Sequence, residues 1–92
     1  MTFEEFLSMH IPDAVSYELK IVKDIKTIAL TYENFTINIC IAIDGSIYVE
    51  PEKLYRLRIT NITDFQELLG VANRLSKAIW SDYHYKGKEI HF

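Results

Sequence analysis

The sequence predicts a two-layer α+β domain: an antiparallel meander of about five strands, with a short N-terminal helix and a long C-terminal helix packed on one sheet face. Two observations carry this. The apolar period changes from helical to two after Pro12 and returns to helical after Thr60, so the strands are consecutive and framed by helices. The late helical stripe and the isoleucine-rich face of the stretch "FTINICIAID" are the large apolar surfaces in the chain, and each needs the other to be buried. Ninety-two residues without an internal repeat or linker make one domain, 1–92.

Thr2 and Glu5 have the spacing of a capping box, with Met1 and Phe6 at staple positions, so the first helix is expected to begin at Phe3. Pro12 ends it by forcing the preceding residue out of the helical region. Val15, Tyr17, Leu19 and Ile21 then alternate with polar residues as a half-buried strand, and Lys23-Asp24 begins a turn. Ile28, Leu30 and Tyr32 mark a second strand, closed by Glu33-Asn34. In "FTINICIAID", Phe35, Ile37, Ile39, Ile41 and Ile43 share one face, and Thr36, Asn38, Cys40 and Ala42 share the other, which is expected to be covered by the first helix or by another molecule.

Asp44-Gly45 is a hairpin signal of type I′ form, because both of its central positions need positive φ. The fourth strand, Ser46 to Glu50, runs to Pro51. The stretch "LYRLRIT", 54–60, alternates again and reads as a fifth strand. Asn61 or Thr63 then caps a helix of about 17 residues, with Phe65, Leu68, Leu69, Ala72, Leu75 and Ile79 on one stripe. After Trp80, "YHYKGKEIHF" alternates and breaks at Gly87, which reads as a short strand or an ordered tail packed back on the domain.

The residues available exclude several chemistries. With only three glycines, Gly45, Gly70 and Gly87, there is neither a phosphate-cradling loop nor a dinucleotide fingerprint. No serine lies in a nucleophile elbow. His10, Cys40, His84 and His91 fit no structural zinc spacing, and Cys40 on a central strand reads as a small buried hydrophobe. No enzyme, cofactor or metal is therefore expected. There is no run of 18 apolar residues to span a bilayer and no basic and apolar leader at the start, so no membrane association and a cytoplasmic location are expected.

What remains is recognition. The net charge of −3 gives no general attraction to nucleic acid, yet Arg56, Arg58 and Arg74 are all in the second half of the chain. Tyr55, Arg56, Arg58, Arg74, Tyr83, Tyr85 and Lys86 are the candidate partner contacts, since tyrosine and arginine dominate interface hot spots. The primary expectation is a protein target, with a homodimer through an edge strand or the semi-polar sheet face as a further one. The alternative is a nucleic-acid-binding accessory protein, in which the same rings stack on bases. Glu50, Glu52, Asp82 and Glu89 beside those rings weigh against it.

The capped first helix, the meander turned by "DGSIYVEP" and the final helix resemble, as an architecture, the small phage-encoded anti-CRISPR inhibitors. That resemblance implies a non-enzymatic inhibitor that blocks or locks a protein target, and it makes the expected cytoplasm that of a bacterial host. The members that mimic nucleic acid are strongly acidic, and this chain is not, so the resemblance points to contact with a protein surface. Replacing Arg56 and Arg58 by Glu is expected to leave folding intact and weaken partner binding; a folded double variant that binds like the wild type would refute their role.

Overall fold

The computed structural model describes residues 1–52 and 58–92. In chain order these form α1 (Phe3–His10), β1 (Ser16–Val22), β2 (Ile25–Tyr32), β3 (Phe35–Ile41), β4 (Ile47–Glu52) and α2 (Ile59–Ile79), which passes into a single π-helical turn over Trp80–His84. The strands make one open antiparallel sheet in the order β1-β2-β3-β4. Among the described residues there are four strands where five were expected. The expected fifth, 54–60, falls largely outside them, and its last two residues, Ile59 and Thr60, are helical instead.

The first helix begins as its sequence dictates. The Glu5 amide donates to the Thr2 hydroxyl, and the Thr2 amide donates to the Glu5 carboxylate, both at 3.1 Å. The Thr2 amide, and after it the Thr2 hydroxyl, favour the ionised Glu5 carboxyl and hold it below its ordinary value. The staple does not close: Phe6 is buried but Met1 is exposed. Ile11, before Pro12, is extended at φ −102° and ψ 121°, and the helix stops there.

Two of the hairpins turn on two residues each. Lys23 and Asp24, with φ of 51° and 66°, form the mirror-image turn that matches strand twist. The β3–β4 connection differs from its expected form. The Gly45 amide donates to the Ala42 carbonyl, the Ala42 amide donates to the Ser46 carbonyl, and Gly45 has positive φ while Asp44 does not. This is a three-residue loop of an ordinary turn followed by a left-handed glycine. Ile43 therefore sits at the loop tip, 84% exposed, and not on the core face.

One face of the sheet is buried by helices. Ile28, Leu30, Ile37 and Ile39 on the two central strands are fully buried, as are Leu68, Ala72, Leu75 and Ile79 of α2 and Leu7 of α1. Because Phe3, Phe6 and Leu7 join this same cluster, α1 lies on the α2 side of the sheet. The opposite face has no covering layer among the described residues. Its floor is made of small residues, with Ala29, Thr27 and Cys40 buried in place. Around them Lys20, Tyr48, Glu50 and Glu52 line a shallow dish of about 300 Å³. Burial, with the nearby Glu50 carboxylate, pushes the Cys40 thiol up from its ordinary value, which suits an inert packing role. The Asn38 amide oxygen in this floor is buried without a hydrogen-bond partner among the described residues.

The two edges differ. Bonded and non-bonded pairs alternate along an antiparallel ladder, and the pair flanking a two-residue turn is a bonded one. With Val22 opposite Ile25, the even-numbered residues of β1 bond to β2, and Tyr17, Leu19 and Ile21 point their amides and carbonyls outward. On β4 the ladder that starts from Ala42 and Ser46 turns Ile47, Val49 and Pro51 outward, so Pro51 removes a donor from an edge that is unpaired among the described residues. Truncating Leu75, in the centre of the helix–sheet interface, to Ala is expected to cost about 2–5 kcal/mol in chemical denaturation; a loss under about 1 kcal/mol would show that α2 does not close the core.

Candidate functional site

The described members of the expected contact set do not form one patch. Tyr55 and Arg56 lie outside the described residues. Arg58 is exposed and is the N-cap of α2, whose first bonds run from the Asn61 and Ile62 amides to the Arg58 carbonyl without help from a side chain. Thr63, expected as a cap, is inside the helix. Twenty-one residues of α2 span about 30 Å, so Arg58 and the Tyr85-Lys86 pair are at opposite ends of the molecule.

Arg74 is in the later half of α2, exposed, and lines a cleft of about 330 Å³ with Pro12, Tyr32, Glu67 and Gly70 among others. Gly70 matters here because a Cβ at this position would meet the Arg74 Nη1 at 3.3 Å, so its absence lets the guanidinium fold back over the preceding turn. Across the cleft the charge of the Glu67 carboxylate, with burial adding to it, raises the Tyr32 phenol above its ordinary value. The cleft is of mixed charge.

Tyr83 is a correction to the expected contact surface. Only 8% exposed, its ring stands edge-on to Phe3 at 5.2 Å and to Phe6 at 5.1 Å, joining α1 to the end of the long helix. Burial raises its phenol. Its neighbour Tyr85 is 74% exposed. The residues 83–92 are thus an ordered tail and not a strand: the Lys88 amide donates to the Tyr83 carbonyl, Lys26 Nζ donates to the Ile90 carbonyl, and the Phe92 ring stacks on Phe3 at 5.8 Å.

A group not anticipated as a unit gathers at this end. The π turn carries the helix one residue further before its bond closes, with the Tyr85 amide donating to the Trp80 carbonyl at 2.8 Å. The wide turn sets residues 80, 84 and 85 side by side: Trp80 is 6.0 Å from His84 and 5.6 Å from Tyr85, centroid to centroid. Trp80 remains 48% exposed. His84 lies against the β3–β4 loop, where a Cβ on Gly45 would stand 2.6 Å from its Cε1 atom. Clefts on either side of this contact are lined by Asp44, Ser46, Ile47 and Trp80, and by Ile43, Ile47, Lys88 and Ile90.

The surface so formed is aromatic and apolar at its centre and of mixed charge at its rim. Lys86 pairs with Asp82 at 3.5 Å, an exposed pair of small energetic value. Asp44 accepts from the amide and hydroxyl of Ser46, which hold its carboxyl below the ordinary value with a smaller contribution from His84. The sequence carries no signal for this site as a unit, because Ile43, Trp80 and Tyr85 are at chain positions that only the π turn and the loop bring together. No group of three or more metal-ligating side chains occurs among the described residues, and none of their helices is long and apolar enough to cross a membrane.

Gly45→Ala is expected to lower stability by about 1–2 kcal/mol from its φ of +90° alone, with a further loss from the His84 contact. Adding His84→Ala should restore only that second part in thermal melts; an unaffected Gly45→Ala variant would contradict the close approach of loop and helix. No protein-family model, curated protein or solved structure matches this chain.

Proposed function

We propose that this protein is a non-enzymatic interaction module that grips another protein with the face made by Trp80, His84, Tyr85 and the loop tip at Ile43. The supporting observation is the exposure of three large apolar side chains around the junction of the helix end and the β3–β4 loop. Ile43 is 84% exposed, Tyr85 74% and Trp80 48%, on a surface held by a closed helix–loop contact. Trp and Tyr bury much contact area while losing few rotamers, which is why they anchor interfaces. Lys86, next to Tyr85 in the chain, adds a charge to this face, whereas Arg74 lines a separate cleft along α2.

In its most concrete form the module is an inhibitor carried by a phage or mobile element, which blocks or locks an effector protein of the bacterial host. The small single domain and its order of elements support that reading. Nucleic acid is the less favoured partner, because Asp44 lines the cleft beside Trp80 and Lys86 is already paired with Asp82.

The test is capture of a partner by wild-type protein and by a Trp80→Ala, Tyr85→Ala variant, each with and without nuclease. Both side chains are largely outside the core, so the variant should melt like the wild type. A protein retained through nuclease treatment and held at least tenfold more weakly by the folded variant is the expected result. Equal retention by both would sink the assignment of this face, and material lost on nuclease treatment would move the reading to nucleic acid.

A further inference from the structure

The free edge of β1 is a docking site for a second copy of this chain, we infer, forming a two-fold dimer in which the two sheets join through antiparallel β1 strands centred on Leu19. An edge strand with unpaired amides and carbonyls is a template for another strand, and soluble proteins blunt such edges with proline, bulges, short strands, charged side chains or a covering element. Among the described residues β1 has no proline, bulge or covering element, and its one blunting device is the charge of Glu18 and Lys20, which a partner strand of matching charge pattern neutralises. It runs for seven residues without a proline, its ladder to β2 is continuous from Ser16 to Val22, and it is the terminal strand of the sheet.

The register follows from the chemistry of the edge. The outward-facing backbone groups belong to Tyr17, Leu19 and Ile21, so two copies must pair odd residues with odd residues. Three registers keep the middle of the strand paired, and they place the two-fold axis at residue 18, 19 or 20. The first puts Glu18 opposite Glu18 of the second copy, and the last puts Lys20 opposite Lys20. Both set like charges at the closest spacing between strands, which is destabilising.

Only the register centred on Leu19 is self-complementary. It sets Glu18 opposite Lys20 of the second copy, and Lys20 opposite Glu18, in the non-bonded positions where side chains approach most closely. Neither side chain is in an ion pair within one chain among the described residues. The same register lays Ile21 beside Tyr17 of the second copy. Ile21 is 61% exposed although it belongs to the core face of the sheet, because the strand runs past its cover. Pairing thus covers an apolar side chain that the single chain leaves in water, completes up to six backbone hydrogen bonds, and matches two pairs of charges. The contact is distinct from the aromatic face at the π turn, so each reading stands or falls separately.

Glu18 and Lys20 are exposed on the uncovered sheet face, so exchanging them leaves the core untouched. The experiment is sedimentation equilibrium over a concentration series, with circular dichroism to establish that every variant is folded. Wild type should show a concentration-dependent monomer–dimer equilibrium. Glu18→Lys and Lys20→Glu, each alone, should weaken the dimer by about tenfold or more, because both cross-strand pairs become like-charged. The double exchange Glu18→Lys, Lys20→Glu should restore it, and so should mixing the two single variants, since each then meets the opposite charge on the other. A wild type that stays monomeric throughout, or a dimer indifferent to both single changes, overturns the proposal.

Discussion

Burial of the isoleucine face under α2 is the constraint to which the other features answer. Ile28, Leu30, Ile37 and Ile39 have no exposure at all, and they owe it to Leu68, Ala72, Leu75 and Ile79 directly above them. Full burial of each such side chain contributes about 1.5–3 kcal/mol, so no other contact in the domain approaches this interface in weight. It also fixes what else is possible. With one long helix given to one face, the other must be tolerable in water, and it is floored by Thr, Ala, Asn and Cys. The outermost strand, β1, then receives only partial cover, which leaves Ile21 in solvent.

The long helix ends where its stripe would otherwise run off the sheet. An ordinary helical continuation sets positions 80 and 85 well apart, whereas one turn of i to i+5 bonding brings Tyr85 against Trp80 and still directs Tyr83 inward to Phe3 and Phe6. A single change of pitch therefore does two jobs. It closes the core against α1, and it displays three rings beside the β3–β4 loop. π turns recur at functional positions for this reason: they trade one regular hydrogen bond for a relocated set of side chains.

Local signals in the sequence were read well and tertiary ones were not. The capping box at Thr2 and Glu5, the stop at Pro12, the turns at Lys23 and Glu33 and the stripe of α2 involve neighbours in the chain, and all are present. The start of α2 was placed too late because no side chain caps it: Arg58 serves through its backbone alone, and the alternation of "LYRLRIT" pointed to a strand. Tyr83 and Tyr85 looked equivalent because residues two apart share a face in a strand, but in a helical turn they face nearly opposite ways. Ile43 continued the isoleucine alternation perfectly, and only the three-residue loop takes it off the core face. The site at the π turn was illegible for a related reason, since the approach of His84 to Gly45 joins residues 39 apart in sequence with no pattern between them.

Pro51 gives the sheet a direction. Its ring nitrogen occupies an outward position on β4, so that edge offers an interrupted row of donors while the β1 edge offers a complete one. A sheet with two open edges adds copies at both ends and grows into a fibre. A sheet with one open edge, joined to its like through a two-fold axis, consumes the open edge of each copy and presents a blunt strand at both ends. In two copies paired through β1 as inferred above, the two-fold axis itself limits that contact to two, and Pro51 at each outer edge would oppose the addition of further strands.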